Sequence, residues 1–161
     1  MQPAYPCDIH DIVEKSIHDV EYELMLLGRY QLSVARARKE SDQLERSAYV
    51  LLSRLEMQGP MTIRELSGAF GLDQSTINRQ TAAMLREGLI ERIAAPDEIA
   101  RRLRVTPEGT RRLAADREYL LGRLEEIFKG WPREEIAVFA SCLEHFNGSI
   151  ERISGEPWPR P

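Results

Sequence analysis

Five neighbouring polar side chains follow Asp73 and carry groups that bind nucleic-acid bases or phosphates: Gln74, Ser75, Thr76, Asn78 and Arg79. Glutamine and asparagine form paired hydrogen bonds with adenine, and arginine does so with N7 and O6 of guanine. Serine and threonine hydroxyls suit bases or phosphates. Taken singly, each residue is typical of a solvated helix face, and Ser75 and Thr76 are equally explained by helix capping. Only the block as a whole predicts a nucleic-acid interface.

Arginines around this block support the same prediction. The net charge of the chain is −4, but residues 60–112 contain nine arginines, no lysine and seven acidic residues, and both flanking segments are acidic. We expect Arg64 to contact phosphate, and Arg101 and Arg102 to contact DNA from a hairpin. Because the whole chain is poor in lysine, a composition bias of the genome also explains the preference for arginine.

Other chemistry receives little support. Glu14, His18 and Glu21 have spacings of four and three, which would suit a metal ion on a helix face, but a solvated polar face is the better interpretation. Cys7 and Cys142 show no metal-ligand spacing. We expect Cys142 to be a buried, inert thiol in an apolar seam, and the redox activity of Cys7 stays open. Since no phosphate loop, nucleophile motif or carboxylate pair stands out, we expect no cofactor, no metal and no enzymatic activity.

The elements that position the polar block are two short helices joined by a tight turn. Thr62 and Glu65 have the spacing of a capping box at the start of the first helix, and Gly71 is placed to end it. Asp73 is expected to cap the second helix, which covers residues 74–87. This arrangement predicts a helix-turn-helix whose second helix carries the polar block.

After this segment the apolar period changes to two, which predicts a hairpin, or wing, with strands at residues 89–93 and 102–105. The remaining periodicities predict four longer helices: residues 8–39, a second capped by Ser41 or Asp42 and ending near residue 58, a third over residues 106–130, and a last one carrying Ile136, Phe139, Leu143, Phe146, Ile150 and Ile153. The third is expected to direct Leu113, Leu120, Leu124 and Ile127 inward. The proline-rich tail at residues 156–161 is expected to be loose.

The length of 161 residues fits one domain, or one domain with long helical extensions. An apolar content of 42% excludes wholesale disorder. No apolar run approaches the roughly 20 residues of a membrane helix, and the first residues lack a secretory signal. We therefore expect no membrane partner and a reducing, cytoplasmic compartment.

Two motifs in this order resemble the MarR (multiple antibiotic resistance regulator) family of bacterial transcription factors. They are IRELSGAFGLDQSTINRQTAAMLREGLIER (residues 63–92) and the strand-to-helix junction LRVTPEG (residues 103–109). The resemblance implies a mainly α fold, a winged helix-turn-helix of order α-α-α-α-β-hairpin-α-α, whose terminal helices form a dimerisation domain. It implies an N-terminal dimerisation helix over residues 1–42, a DNA-binding domain over 43–109 and C-terminal dimerisation helices over 110–161.

The resemblance also implies a homodimer that binds a palindromic operator on double-stranded DNA, acts as a repressor, and is released by a small-molecule effector or an oxidative signal. Family contacts map to Ser75, Thr76 and Arg79. Two departures stand out. Ile99 falls where the wing of the family carries an arginine, and Gln80 and Thr81 replace apolar residues, which we attribute to a half-exposed site.

Two other functions are compatible with the sequence. A winged-helix protein-interaction module has the same fold and would suit an acidic chain, but its recognition helix should expose apolar residues. A ligand-binding or enzymatic helical dimer is the third hypothesis, for which no chemistry is visible. The Gln, Ser, Asn and Arg side chains of the second short helix favour DNA.

Overall fold

The computed structural model describes the backbone of residues 9–39, 43–94 and 101–160, and the side chains of residues 14–31, 43–94 and 101–160. Within these ranges the elements follow in this order: α1 (Ile9–Lys39), α2 (Arg46–Gln58), α3 (Ile63–Phe70), α4 (Gln74–Arg86), β1 (Ile90–Ile93), β2 (Arg102–Val105), α5 (Pro107–Ile127) and α6 (Arg133–Ser154). The predicted mainly α, winged helix-turn-helix order is confirmed. Ser41 and Asp42, Cys7 and Ile99 lie outside the described residues.

The chain divides into two units, one ending at Gln43 and one beginning at Leu44. The described part of the first unit is the single long helix α1. Its apolar side chains include Ile17, which is 63% exposed, and Val20 and Leu24, which are also exposed. The predicted three-part domain division stays a prediction.

The core of the second unit gathers side chains from α2 to α5 and from the hairpin. Leu51, Leu52, Leu66, Ile77, Leu89, Leu103 and Leu113 are almost fully buried. The apolar spacing on α2, α3 and α4 points one side of each helix at this core, as helical periodicity requires. The opposite side of α4 therefore faces outward.

The wing is a two-stranded antiparallel sheet in which Ile90 pairs with Val105 and Ile93 pairs with Arg102. Met61, just before α3, extends this sheet by a bridge to Leu103, with N···O distances of 3.1 and 2.7 Å. The hairpin is thus anchored directly to the segment that leads into the helix-turn-helix.

The start of α2 differs from the prediction. The helix begins at Arg46, after the N-cap position Glu45, and not directly after Ser41 or Asp42. Leu44 is instead drawn into the core, and its backbone N–H donates to Asp116 Oδ1 of α5 at 3.3 Å. A long-range contact therefore holds the chain extended where local capping signals predicted a helix.

Helix α5 ends at Ile127, three residues before the predicted end. Phe128 forms an edge-on aromatic cluster with Trp131 and Phe139, with ring centroids 5.2 to 6.1 Å apart. This cluster closes the α5–α6 connection, and Gly130 takes a positive φ of 88° within it. The chain has to leave the helical path to bring the three rings together.

Three predictions of burial were wrong for the single chain. Leu124 and Ile127 on α5 are exposed, and so is Cys142 on α6. Helix α6, all of which is described, has no buried residue. The apolar side chains recur at the predicted spacings, but among the described residues those of α6 and of the C-terminal half of α5 stay largely exposed.

The tail prediction was also wrong. Residues 155–160 are packed rather than loose, because Trp158 lies against Phe70 and Arg54. Among the described helices, none combines the length and apolar character needed to cross a membrane.

Candidate nucleic-acid interface

The end of α4 that carries the polar block is positioned by α3 and the turn after it. The Thr62 hydroxyl accepts from the Glu65 N–H at 3.2 Å, and the Glu65 carboxylate accepts from the Thr62 N–H at 2.7 Å, so the predicted capping box is confirmed. Gly71 ends α3 in the left-handed region, at φ 59°, where a side chain costs about 1–2 kcal/mol. Asp73 occupies the predicted N-cap position of α4, although its side chain makes no capping hydrogen bond.

The structure brings the predicted contact residues of α4 together on its first turns. Gln74, Ser75, Asn78 and Arg79 are exposed, and Thr76 is half-buried. The backbone N–H of Thr76 donates to the Asp73 carbonyl at 3.0 Å. Since Ile77 and Met84 bury the other side of the helix, the exposed groups share an outward surface of hydrogen-bond donors and acceptors with one positive charge.

Thr81 departs from the half-exposed site predicted for it. Its side chain is 2% exposed, and its hydroxyl donates to the Ile77 carbonyl at 2.8 Å. The hydroxyl thus satisfies its hydrogen bond within its own helix, and the methyl group fills the core. A polar residue is accommodated here because it needs no partner outside α4.

Arg64 is the second residue of α3 and is exposed. Within the described ranges, neither Arg64 nor Arg79 forms an ion pair, whereas Arg104 pairs with Glu91 and Arg111 pairs with Glu108. The positive charges of Arg64 and Arg79 therefore remain uncompensated on the surface, as a phosphate- or base-binding role requires.

The wing arginines differ from each other. Arg101 is exposed at the end of the described part of the hairpin. Arg102 donates to both carboxylate oxygens of Glu65, at 3.2 and 3.3 Å, and to the Pro60 carbonyl at 2.9 Å. Sequence reasoning missed this ion pair, because its partners are 37 residues apart and no local pattern joins them.

The Glu65 carboxylate is held in its charged form. The hydrogen bond from the Thr62 backbone N–H is the main cause that lowers the pKa of Glu65, and the charge of Arg102 lowers it further. The Glu65 carboxylate therefore caps α3 and also forms an ion pair with Arg102, the first residue of β2.

No group of three or more His, Cys, Asp or Glu side chains in the described parts of the chain is arranged to hold a metal ion. Hydrogen-bonding side chains and arginines on the exposed end of a helix, flanked by a β-hairpin, define a winged helix-turn-helix surface of the DNA-binding type.

Comparison with known proteins identifies the family. The MarR family model matches residues 44–98. The uncharacterised HTH-type transcriptional regulator YxaD of Bacillus subtilis (strain 168) is 36% identical over 129 residues, which cover 80% of this chain and 90% of that protein. The chain therefore belongs to the MarR family, whose members are transcription regulators and not enzymes.

Solved structures agree with this assignment. A MarR family protein from Bacillus stearothermophilus has a TM-score of 0.73 and 25% identity, covering 85% of this chain and 96% of its own. FabT of Streptococcus pneumoniae, solved in complex with DNA, has a TM-score of 0.69 and 18% identity, covering 86% and 99%. The second similarity shows the shared fold.

Proposed function

We propose that the chain is a sequence-specific DNA-binding repressor that acts as a homodimer on a palindromic operator. The observation that carries the proposal is the exposed polar end of α4, presented by a capped α3 and a left-handed turn. The proposed DNA-contacting residues are those predicted from the sequence: Arg64, Gln74, Ser75, Thr76, Asn78, Arg79, Arg101 and Arg102.

Direct base recognition is assigned to Gln74, Asn78 and Arg79. They lie at the N-terminal part of α4, the part that enters the major groove in helix-turn-helix proteins, and all three are exposed. Ser75 and Thr76 are positioned for phosphate or base edges. FabT, which has the same fold, was solved in complex with DNA, and this supports DNA as the ligand of the fold.

The arginines outside α4 are assigned to the phosphate backbone. Arg64 and Arg101 have exposed guanidinium groups. Arg102 would have to leave Glu65 and Pro60 to reach a phosphate. Its main effect is therefore to hold the wing against α3, and its predicted DNA contact requires that ion pair to open.

A second copy of this chain is the proposed partner of the uncovered apolar faces. Helix α6 exposes Phe139, Leu143, Phe146, Ile150 and Ile153, at spacings of four, three, four and three, and Ile153 is 88% exposed. Monomeric proteins rarely expose contiguous apolar patches of this kind. The spacing suits a helix–helix seam, and a two-fold dimer would present two copies of α4 to a palindrome.

A small-molecule effector that lowers DNA affinity completes the proposal. A cavity of about 500 Å³ lies between α6 and the helix-turn-helix, bounded by Val50, Phe70, Ile150 and Trp158 among others. Its volume is within the range of ligand sites. A compound that raises the melting temperature and weakens operator binding would support this part, and stabilising compounds without effect on DNA affinity would contradict it.

The deciding experiment is fluorescence anisotropy with the DNA upstream of the gene and with scrambled DNA, at several salt concentrations. We expect tight binding only to the first, with a salt slope that counts the phosphates engaged. A genome-wide binding selection should return a palindrome. If it returns no enriched sequence, the winged helix serves a protein partner and the proposal fails.

A reporter gene with the operator at its promoter tests repression. We expect lower reporter expression when the protein is present, and higher expression would contradict a repressor role.

A further inference from the structure

The C-terminal residues 155–160, named here the strap, fold back onto the helix-turn-helix. The ring of Trp158 meets the ring of Phe70 edge-on, with centroids 5.3 Å apart and planes at 85°. The Arg54 guanidinium lies 4.7 Å from the centroid of the Trp158 ring, and Arg54 Nη1 donates to the Pro157 carbonyl at 3.1 Å. Trp158 is therefore held between a residue of α2 and the last residue of α3.

Arg54 joins the strap to the lobe, the name used here for α2 to α5 together with the hairpin. This arginine is 6% exposed, and burying a cation costs free energy unless it is paired or hydrogen-bonded. Its Nε donates to Gln58 of the same helix at 2.6 Å. The other described partners of its guanidinium, the Pro157 carbonyl and the Trp158 ring, come from the strap.

The two ends of the strap reach two different elements. Arg160 forms a bidentate ion pair with Glu151 of α6, with N···O distances of 2.8 and 2.9 Å. The Glu156 carboxylate lies directly over Gly71, where a Cβ atom would collide with it. Gly71 is the left-handed residue of the turn, three positions before the first residue of α4.

Helix α6 has no buried residue of its own. It contacts Phe128 and Trp131 through Phe139 near its N-terminal end, and the strap near its C-terminal end. The strap ties its C-terminal end to α2, to α3 and to the turn before the recognition helix. We propose that Trp158 and Arg54 are positioning residues for DNA binding, which set the orientation of the helix-turn-helix relative to α6. The inference depends on the proposed function, since it takes α6 as the dimer helix.

The geometric consequence is a restriction on operator spacing. Two recognition helices enter successive major grooves about 34 Å apart. If α6 lies at the dimer axis, the strap limits how far each lobe can swing about it. Loss of the strap contact should then weaken binding and also reduce discrimination between operators of different half-site spacing.

The test compares the full-length parent with Trp158→Ala and Trp158→Phe. Each protein is titrated against the operator found by selection and against versions with one base pair inserted or removed between the half-sites. We expect W158A to bind the natural operator about tenfold more weakly, which corresponds to 1.4 kcal/mol, and to lose most of its spacing preference. W158F, which keeps a ring against Phe70, should recover both.

The ratio of the affinities for the natural operator and for the operators of altered spacing separates a positioning role from an effect on stability alone. A loss of folded protein would weaken binding to all operators by the same factor and leave the ratio unchanged. Circular dichroism and sedimentation confirm that each variant is folded and dimeric. Unchanged affinity and unchanged spacing preference in folded, dimeric W158A would overturn the inference, and so would a uniform loss.

If W158A does not fold, variants of the Arg160–Glu151 ion pair test the same inference. Arg160→Ala removes the surface ion pair to Glu151 and the 3.3 Å hydrogen bond from Arg160 to the Trp158 carbonyl, and leaves the Trp158 ring in place. The double exchange Glu151→Arg with Arg160→Glu restores the ion pair and should recover the spacing preference that R160A loses. Arg152→Ala, at the same end of α6 but bonded to Ser149, is the matched control. Parent-like spacing preference in R160A overturns the inference. Absence of specific binding in the parent instead contradicts the proposed function.

Discussion

Arg102 and Glu65 form an ion pair of 3.2 Å that joins the wing to the start of α3. The same carboxylate accepts the Thr62 N–H of the capping box. Two parts of the proposed DNA-binding surface, the hairpin and the helix that supports α4, therefore share one anionic group. Protonation of the Glu65 carboxylate, or its replacement by a neutral group, should therefore weaken the attachment of the hairpin and the capping of α3.

Glu65→Gln keeps an oxygen that can accept from Thr62 but removes the charge. Because the folded-state pKa of Glu65 is lowered, chiefly by the Thr62 N–H, its stabilising effect is present above the ordinary pKa of 4.5 and is lost as the pH falls through the lowered pKa. We expect E65Q to be less stable by about 0.5 kcal/mol at pH 7, and the difference to vanish under acid conditions. Urea unfolding at pH 7, 5 and 3 measures this, and a difference independent of pH would contradict it.

Arg79→Ala should weaken specific operator binding by about 1–3 kcal/mol and leave the dimer intact. The reason is loss of the exposed cation on the N-terminal half of α4. Arg86→Ala is the matched control, since Arg86 is also exposed but lies at the opposite end of the same helix. Anisotropy titrations compare the two. Equal affinities of R79A and the parent would remove Arg79 from the interface.

Phe146→Glu should convert the proposed homodimer to a monomer, because a charge in the centre of the α6 seam cannot be buried against a second copy. Operator affinity should fall with it. Ser141→Glu, two positions after Phe139 and so on the other side of α6, should remain dimeric. Sedimentation velocity gives the masses, and a dimeric F146E would refute the assigned interface.

Thr81→Val should be neutral or stabilise the protein by up to about 1 kcal/mol. The substitution removes a buried hydroxyl whose acceptor, the Ile77 carbonyl, lies within the helix, and it keeps the side-chain shape. Thr81→Ser removes the methyl group instead and should destabilise by about 1 kcal/mol through the cavity left behind. In urea, the free energy of unfolding should be higher for T81V than for T81S. The reverse order would mean that the hydroxyl contributes more to stability than the packing of the methyl group.

The two glycines of α3 and its turn should respond in opposite directions. Gly68→Ala fills open space on the helix surface and should stabilise by about 0.5–1 kcal/mol. Gly71→Ala should destabilise by about 1–2 kcal/mol, because φ is 59° and the new Cβ would meet Glu156. Thermal unfolding of both variants measures this, and a Gly71→Ala protein as stable as the parent would contradict the turn geometry.

The sequence predicted those features that depend on neighbours along the chain. The capping box of Thr62 and Glu65, the left-handed turn at Gly71 and the polar end of α4 follow from propensities within a few residues. These features were enough to place the recognition helix and its exposed side chains. The family was also indicated, because its motifs are local.

Tertiary structure decided what depends on residues far apart. The Asp116 carboxylate delays α2 to Arg46 by holding Leu44, from 72 residues away. Trp158 docks a tail that local composition predicted to be loose, through an arginine about a hundred residues earlier. Such contacts form only when the fold brings their partners together, and their free energy depends on burial that no local pattern encodes. The sequence therefore determined which polar surface α4 exposes, the surface that we propose binds DNA, and the packed lobe determined how that surface is held.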